Sequence, residues 1–195
     1  MMYNVGTTRE LSHIFFVLTY YMLERKSNRL PGFDYSTSHY YFITICVNRL
    51  LPKLGEVLKG KMILNNYGNI VEEKLLDLPL KYFYVELDEF IIMPNHVHAI
   101  MIIDRTNVST NSDNRTSLDL SLQPKIKFSS ELVGVFKTTS SKAIHESGLM
   151  DFKWQRSFYD RIVRNEKELY NIRKYIQQNP LKWDIEKSDV ENLDL

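Results

Sequence analysis

The sequence has almost no cysteine. Cys46 is the single one among 195 residues, so no intramolecular disulfide framework can form, and the usage fits a reducing cytoplasm. It also lacks an apolar run long enough for a bilayer: His13 to Leu23 (HIFFVLTYYML) falls short of the ~20 residues a spanning helix takes. That run has no net-positive leader and no small-residue cleavage site, which argues against a signal peptide. Charge of one sign is missing as well. Lys and Arg total 25 against 24 Asp and Glu, so the overall balance names no partner. There is no internal repeat, no HExxH and no cysteine-rich metal pattern. The length is sufficient for a sizeable core and is most economically one domain with decorations.

The charge that is present is unevenly placed. Residues 125 to 183 hold twelve basic and six acidic side chains, a net of +6, together with both tryptophans, Trp154 and Trp183. Residues 1 to 124 carry −1 and the tail from Asp184 carries −4. A basic segment bearing aromatics is the footprint expected for binding a polyanion, although a solvated pair of helices gives the same count.

Local patterns give an irregular alternation of strands and helices. Tyr40 to Val47 (YYFITICV) reads as a strand. Leu54 to Val57 and Lys61 to Leu64, punctuated by Gly60, read as a hairpin. Asn69 to Leu78 has helical spacing and is expected to end at Pro79. Two strand-like runs follow, Tyr82 to Leu87 and Phe90 to Met93, and after Pro94 a third, His96 to Ile103. Residues 104 to 124 are dominated by Asn, Ser, Thr and Asp and read as a flexible loop. A second helix spans about Ser130 to Glu146, with Leu132, Val135, Phe136, Thr139, Ala143 and Ile144 inward. A third starts at Asn165, capped by that side chain with Glu168 completing a capping box, and is expected to stop at Asn179-Pro180. Short connections between strands favour an antiparallel α+β sandwich.

Chemistry enters at MPNHVHAI, residues 93 to 100. In a strand, i and i+2 share a face, so His96 and His98 project together while Val97 and Ala99 face the other way. Two neutral imidazoles at that spacing can share a divalent cation, and they can equally be two hydrogen-bonded core histidines. On the third helix, Leu169, Ile172 and Ile176 mark the buried stripe. Tyr175 and Asn179 lie one turn apart on a different face. Should that face cover the histidine strand, Asn179 can offer a carbonyl oxygen to a metal with Tyr175 beside it; the plain alternative is a packed tyrosine and a helix terminator.

HVH preceded by MPN, with YIQQNP downstream, resembles the single-tyrosine HUH endonucleases, that is, the REP-associated tyrosine transposases and related insertion-sequence transposases. RLPGFDYS (29 to 36), YYFITICVNR (40 to 49), VELDEFIIMPNHVH (85 to 98) and WQRSFYDRIVRN (154 to 165) are similar too, so the resemblance covers roughly residues 26 to 183. Residues 1 to 25 are then an extension and 184 to 195 an acidic tail. The resemblance implies a ferredoxin-like (RRM-like) antiparallel sheet with helices packed on one face, the HUH motif on a central strand and the tyrosine on the last helix. It also implies a metal-dependent transposase that nicks and rejoins single-stranded DNA by transesterification. Tyr175 is then the nucleophile that forms a 5′-phosphotyrosine, and His96, His98 and Asn179 hold Mg²⁺ or Mn²⁺. Its partner would be single-stranded DNA, with hairpin-forming repeat ends, in a cytoplasmic, nucleoid-associated setting with no membrane; some relatives pair as homodimers by joining sheets and others act alone.

Lys125, Lys127, Lys137 and Lys142 around the second helix, and Lys153, Arg156, Arg161, Arg164, Arg173, Lys174 and Lys182 around the nucleophile, are candidates to hold phosphates, with Trp154, Phe158 or Tyr159 to stack on unpaired bases. Tyr159 and Tyr170 rival Tyr175 as nucleophile. Zinc hydrolysis, a water-using phosphodiesterase and a non-catalytic nucleic-acid-binding module remain the competing readings.

Overall fold

A computed structural model describes residues 38 to 104 and 127 to 191, with side chains through Ile185. The expectations for the 1–25 extension, for RLPGFDYS and for nearly all of the 104–124 loop fall outside those residues.

Four strands form one antiparallel sheet: β1 (His39–Cys46), β4 (Val85–Ile92), β5 (His96–Ile103) and β6 (Tyr159–Ile162), in the order β4-β5-β1-β6. A separate hairpin, β2 (Gly55–Leu58) and β3 (Lys61–Leu64), follows β1. The helices are α1 (Asn66–Lys81), α2 (Ser129–Glu146) and α3 (Glu166–Glu191). This strand order, with a helix between β1 and β4 and another between β5 and β6, is the ferredoxin-like α+β architecture. Among the described residues no helix is long and apolar enough to cross a membrane.

The period-2 alternation of the strands divides the molecule into two layers. Tyr41, Ile43 and Ile45 of β1 and Val97, Ala99, Met101 and Ile103 of β5 bury one face in the main core, beneath Val71, Leu75 and Leu78 of α1 and Leu132, Phe136 and Ile144 of α2. The opposite residues face α3. There Ile100, Val163, Leu169 and Ile176 form a smaller apolar cluster, with Tyr40, Phe42, Ile91, Ile172 and Tyr175 packed on it. Each large core side chain contributes ~1.5–3 kcal/mol by leaving water, so α3 is held by far less apolar burial than the other two helices.

Caps and polar ties set the ends. Asn65 Oδ1 accepts from the Tyr67 and Gly68 amides at 2.9 and 3.0 Å, so α1 starts earlier than its apolar periodicity implies. Gly68 lies so close to the Leu54 carbonyl that no Cβ fits there. Asn165 Oδ1 caps α3 at the Glu168 amide, 2.9 Å, while the Glu168 carboxylate reaches back to the Arg164 amide at 3.0 Å.

Several sequence expectations are corrected. The runs expected at Tyr82 to Leu87 and Phe90 to Met93 share one strand, β4, which begins only at Val85 after a turn and whose pairing register shifts between Leu87 and Phe90; the irregularity at Asp88-Glu89 mimics a break. Strand β6 carries no sequence signal: it has four residues, two of them charged, and exists because it pairs along β1. On α2, Ser140 is buried and Thr139 is exposed, because the Ser140 hydroxyl meets the Trp154 indole N–H at 3.0 Å. Neither proline ends its helix. Pro79 lies in the last turn of α1, where it forfeits one hydrogen bond and the Tyr82 amide closes on Leu78 O at 2.9 Å. An interior proline costs ~3 kcal/mol, and beyond Pro180 that cost is offset by tertiary contacts. Asp184 accepts from the Gly60 amide at 2.8 Å, and Leu181 packs on Gly60 so closely that a Cβ there would come within 3.1 Å of it.

Candidate active site

The site forms where the α3-facing side of the sheet presents Thr44 and Phe42 from β1 and His96 and His98 from β5. Thr44 pairs directly with His98 across the strands, and Cys46 with His96. The imidazole centres are 4.5 Å apart. His98 is fully buried, with Nδ1 2.8 Å from Thr44 Oγ1 and its ring stacked on Phe42 at 5.4 Å. His96 sits at the rim with most of its ring enclosed, and its Nδ1 is 2.7 Å from Asn95 Oδ1.

Helix α3 closes the site from above. Tyr175 Oη lies 3.4 Å from His98 Nε2, with ring centres 5.2 Å apart, and Phe42 meets the same phenol edge-on at 6.2 Å. Asn179, one turn further, is buried and hydrogen-bonded to His96. The continuation past Pro180 adds Trp183, whose ring centre is 6.0 Å from that of His96, and Lys182, whose ammonium lies 5.1 Å from the centre of the Tyr175 ring. The Arg173 guanidinium grips Asp88 with two bonds, 2.8 and 3.0 Å, and the Gln177 amide donates to Glu89 at 3.1 Å. The irregular point of β4 thus tethers the helix on either side of Tyr175.

Burial keeps both imidazoles uncharged. It holds His96 down to about 4, against a smaller opposing pull from the hydrogen bond with Asn179. His98 lies well below the usual imidazole range, first through burial and second through repulsion from a charge on His96. Neutral rings carry a free lone pair, the form in which histidine binds metal. Two imidazoles and a buried amide make a donor set that fits a divalent cation with its other positions left to water or phosphate oxygens. Among the described residues no three His, Cys, Asp or Glu side chains gather, so a third ligand from the described residues is an amide such as Asn179.

The structure thus brings His96, His98, Tyr175 and Asn179 together. Of the rival tyrosines, Tyr170 is exposed on α3. Tyr159 is on the histidine face but across Phe42, edge-on at 6.4 Å. The phosphate candidates separate into groups. Lys153, Arg156, Arg164 and Lys174 are exposed. Lys142 is exposed beside Glu146 at 3.9 Å, and Arg161 is ion-paired with Glu168. Lys137 donates to the carbonyls of Gln155 and Ser157 at 2.9 and 3.0 Å, and burial pushes its ammonium down to about 8. Trp154 is a core residue: its indole packs on Phe136 and Phe152, which leaves it no face for a base in this conformation. Thr44 and Asn95 escaped the sequence reading, which named Lys182 only as a cation for phosphates near the nucleophile and Trp183 only as an aromatic of the basic segment. For Trp183 the signal was there, an aromatic eight residues after Tyr175, but it counts only if the helix passes Pro180.

An uncharacterized protein of Haemophilus influenzae is 36% identical over 169 residues, an alignment that covers 82% of this chain and 90% of that protein. No protein-family model matches the sequence. Among solved structures, a REP-associated tyrosine transposase bound to a REP hairpin superposes with a TM-score of 0.51 at 19% identity, covering 79% of this chain and 73% of the other. At that identity the likeness shows a shared fold.

Proposed function

We propose that this chain, which belongs to the same family as the uncharacterized Haemophilus influenzae protein, is a metal-dependent single-stranded DNA endonuclease and strand transferase that uses Tyr175 as nucleophile. One observation carries the reading: the Tyr175 hydroxyl is 3.4 Å from His98 Nε2, at a site that also holds His96 and the buried Asn179. A phenol packed for stability alone has no need of an enclosed neutral imidazole beside its oxygen and a second imidazole 4.5 Å from the first.

His96, His98 and Asn179 would hold Mg²⁺ or Mn²⁺, and imidazole ligands favour Mn²⁺ of the two. Such a cation, when bound, supplies charge neutralisation at the scissile phosphate and favours the ionised phenol. The chain's own residues do the rest. The phenol, with an ordinary pKa of ~10, is a weak nucleophile unless its surroundings favour the anion. The Lys182 ammonium beside the ring is the positive charge that α3 itself provides. Phe42 and the Arg173–Asp88 tether fix the ring's direction. Attack by Tyr175 Oη on phosphorus forms a tyrosyl phosphoester and breaks the bond to the 3′ oxygen. The proton lost by the phenol is balanced by one gained at the departing 3′-hydroxyl. Because the phosphoester retains the energy of the phosphodiester, a 3′-hydroxyl can reverse the step and join strands without ATP.

The structural relative was solved with a REP hairpin, which supports hairpin-bearing single-stranded DNA as the substrate class here. The test is incubation with labelled single-stranded hairpin oligonucleotides and Mn²⁺, followed by denaturing electrophoresis. The expected result is a covalent protein–DNA adduct in the wild type and none with Tyr175→Phe. Cleavage that survives the substitution would replace this reading with a water-using phosphodiesterase, and binding with no cleavage would reduce it to a non-catalytic module.

A further inference from the structure

We infer that Asn95 and Thr44 are positioning residues: each engages the Nδ1 side of one imidazole, so that His96 and His98 both carry their proton on Nδ1 and turn a bare Nε2 toward α3. This deepens the proposed function and rests on it for what the bare nitrogens serve; the proton positions stand on hydrogen-bond geometry and, for His98, on the relative acidity of the two hydroxyls.

For His96 the assignment follows from Asn95's second bond. The Asn95 amide nitrogen donates to Leu50 O at 3.0 Å, which fixes which end of the amide is nitrogen. Its oxygen is therefore the atom 2.7 Å from His96 Nδ1, and a carbonyl oxygen only accepts. Nδ1 must carry the proton. Asn95 is itself held in place: it is buried, and its backbone carbonyl accepts from the Val47 amide at 2.8 Å. Its anchor, Leu50, sits in a turn where both Arg49 and Leu50 have positive φ, 57° and 54°. That conformation is uncommon for a bulky side chain, and it aims the Leu50 carbonyl at the asparagine.

For His98 the partner is Thr44, buried on the neighbouring strand and 2.8 Å from Nδ1. A hydroxyl can donate or accept, so the other ring nitrogen decides. Nε2 faces the Tyr175 phenol at 3.4 Å, and a phenol is a more acidic O–H than an alcohol. The phenol donates to Nε2, and Nδ1–H donates to Thr44. Metal-ligating histidines commonly have the far ring nitrogen held in this way, and loss of such a partner weakens metal binding 10–100-fold.

Long-range ¹H–¹⁵N NMR of the metal-free protein at neutral pH reads the tautomers directly. Both rings are expected as Nδ1–H. Asn95→Leu should move His96 toward Nε2–H, while Asn95→Asp, which keeps an acceptor oxygen, should not; Thr44→Val should release His98 and Thr44→Ser should hold it. In Mn²⁺ titrations without DNA, Asn95→Leu and Thr44→Val should weaken binding 10–100-fold, with the two conservative variants within about threefold of wild type. A wild-type spectrum showing Nε2–H on either ring overturns the inference, even if a variant fails to fold. If the tautomers are as stated but the wild type binds no Mn²⁺, the proton positions stand and the cation reading of the site falls. If Mn²⁺ binds and the Tyr175 adduct forms while affinity ignores all four substitutions, the function stands and the positioning role is wrong.

Discussion

Two imidazoles whose centres are 4.5 Å apart can stay enclosed under a helix only while both are uncharged. That ties stability to pH with a definite sign. An unfolded histidine takes up its proton near pH 6.5, whereas His96 in the fold does so only near 4, and burial holds His98 well below the usual imidazole range too. Between those values the unfolded chain binds more protons, so stability is fully present above ~6.5 and drains away as pH falls through ~4. For His96 the loss is up to about 3 kcal/mol, less what solvent at the rim screens. Urea midpoints in EDTA should therefore drop steeply from pH 6.5 to 4, and His96→Asn should flatten part of that slope. An identical slope in the variant would show that the ring is not held neutral by the fold. The same scale explains why the two tryptophans exchange roles. Trp154 belongs to a buried network with Ser140, and Trp183 is the aromatic at the site.

At the scale of elements, the hairpin that supports the end of α3 turns through Lys59 and Gly60, both with positive φ, 51° and 70°. A two-residue turn of that shape prefers Asn-Gly. Lys59→Asn is expected to stabilise the protein by ~0.5 kcal/mol, raising the melting temperature by about 1–2 °C for a chain of this size. A lowered melting temperature would mean that the lysine makes a contact the turn depends on. Helix α3 shows why its end was misread. Local rules stop a helix before proline, and here contacts with Gly60 and His96, remote in sequence, carry it on. The start of α3 and both ends of α2 were legible, because caps and apolar periodicity are local properties.

Across the whole molecule, the proposed function would draw its phosphate surface from the basic third of the chain, but not every cation in it is free to serve. Lys153, Arg156, Arg164 and Lys174 are exposed, whereas the Lys137 ammonium is spent on backbone carbonyls. Binding of single-stranded DNA should weaken with salt, and each of the four that touches a phosphate should, when changed to alanine, reduce the log–log slope by ~0.7. Lys137→Met should leave the slope alone and lower stability. A slope unchanged by the fourfold alanine variant would place the DNA on another face.

The sequence by itself determined the α+β alternation, most strand and helix positions, and the shared face of His96 and His98, because a strand's period of two is written into adjacent residues. It could not decide what lies over that face. Thr44 meets His98 across 54 residues of chain, and Tyr175 arrives from 77 residues away. Those meetings depend on strand register and on which side of the sheet α3 packs. Both are settled by burial summed over the whole fold, with Ile100, Leu169 and Ile176 drawing the helix down onto the histidines, and no local pattern encodes that sum.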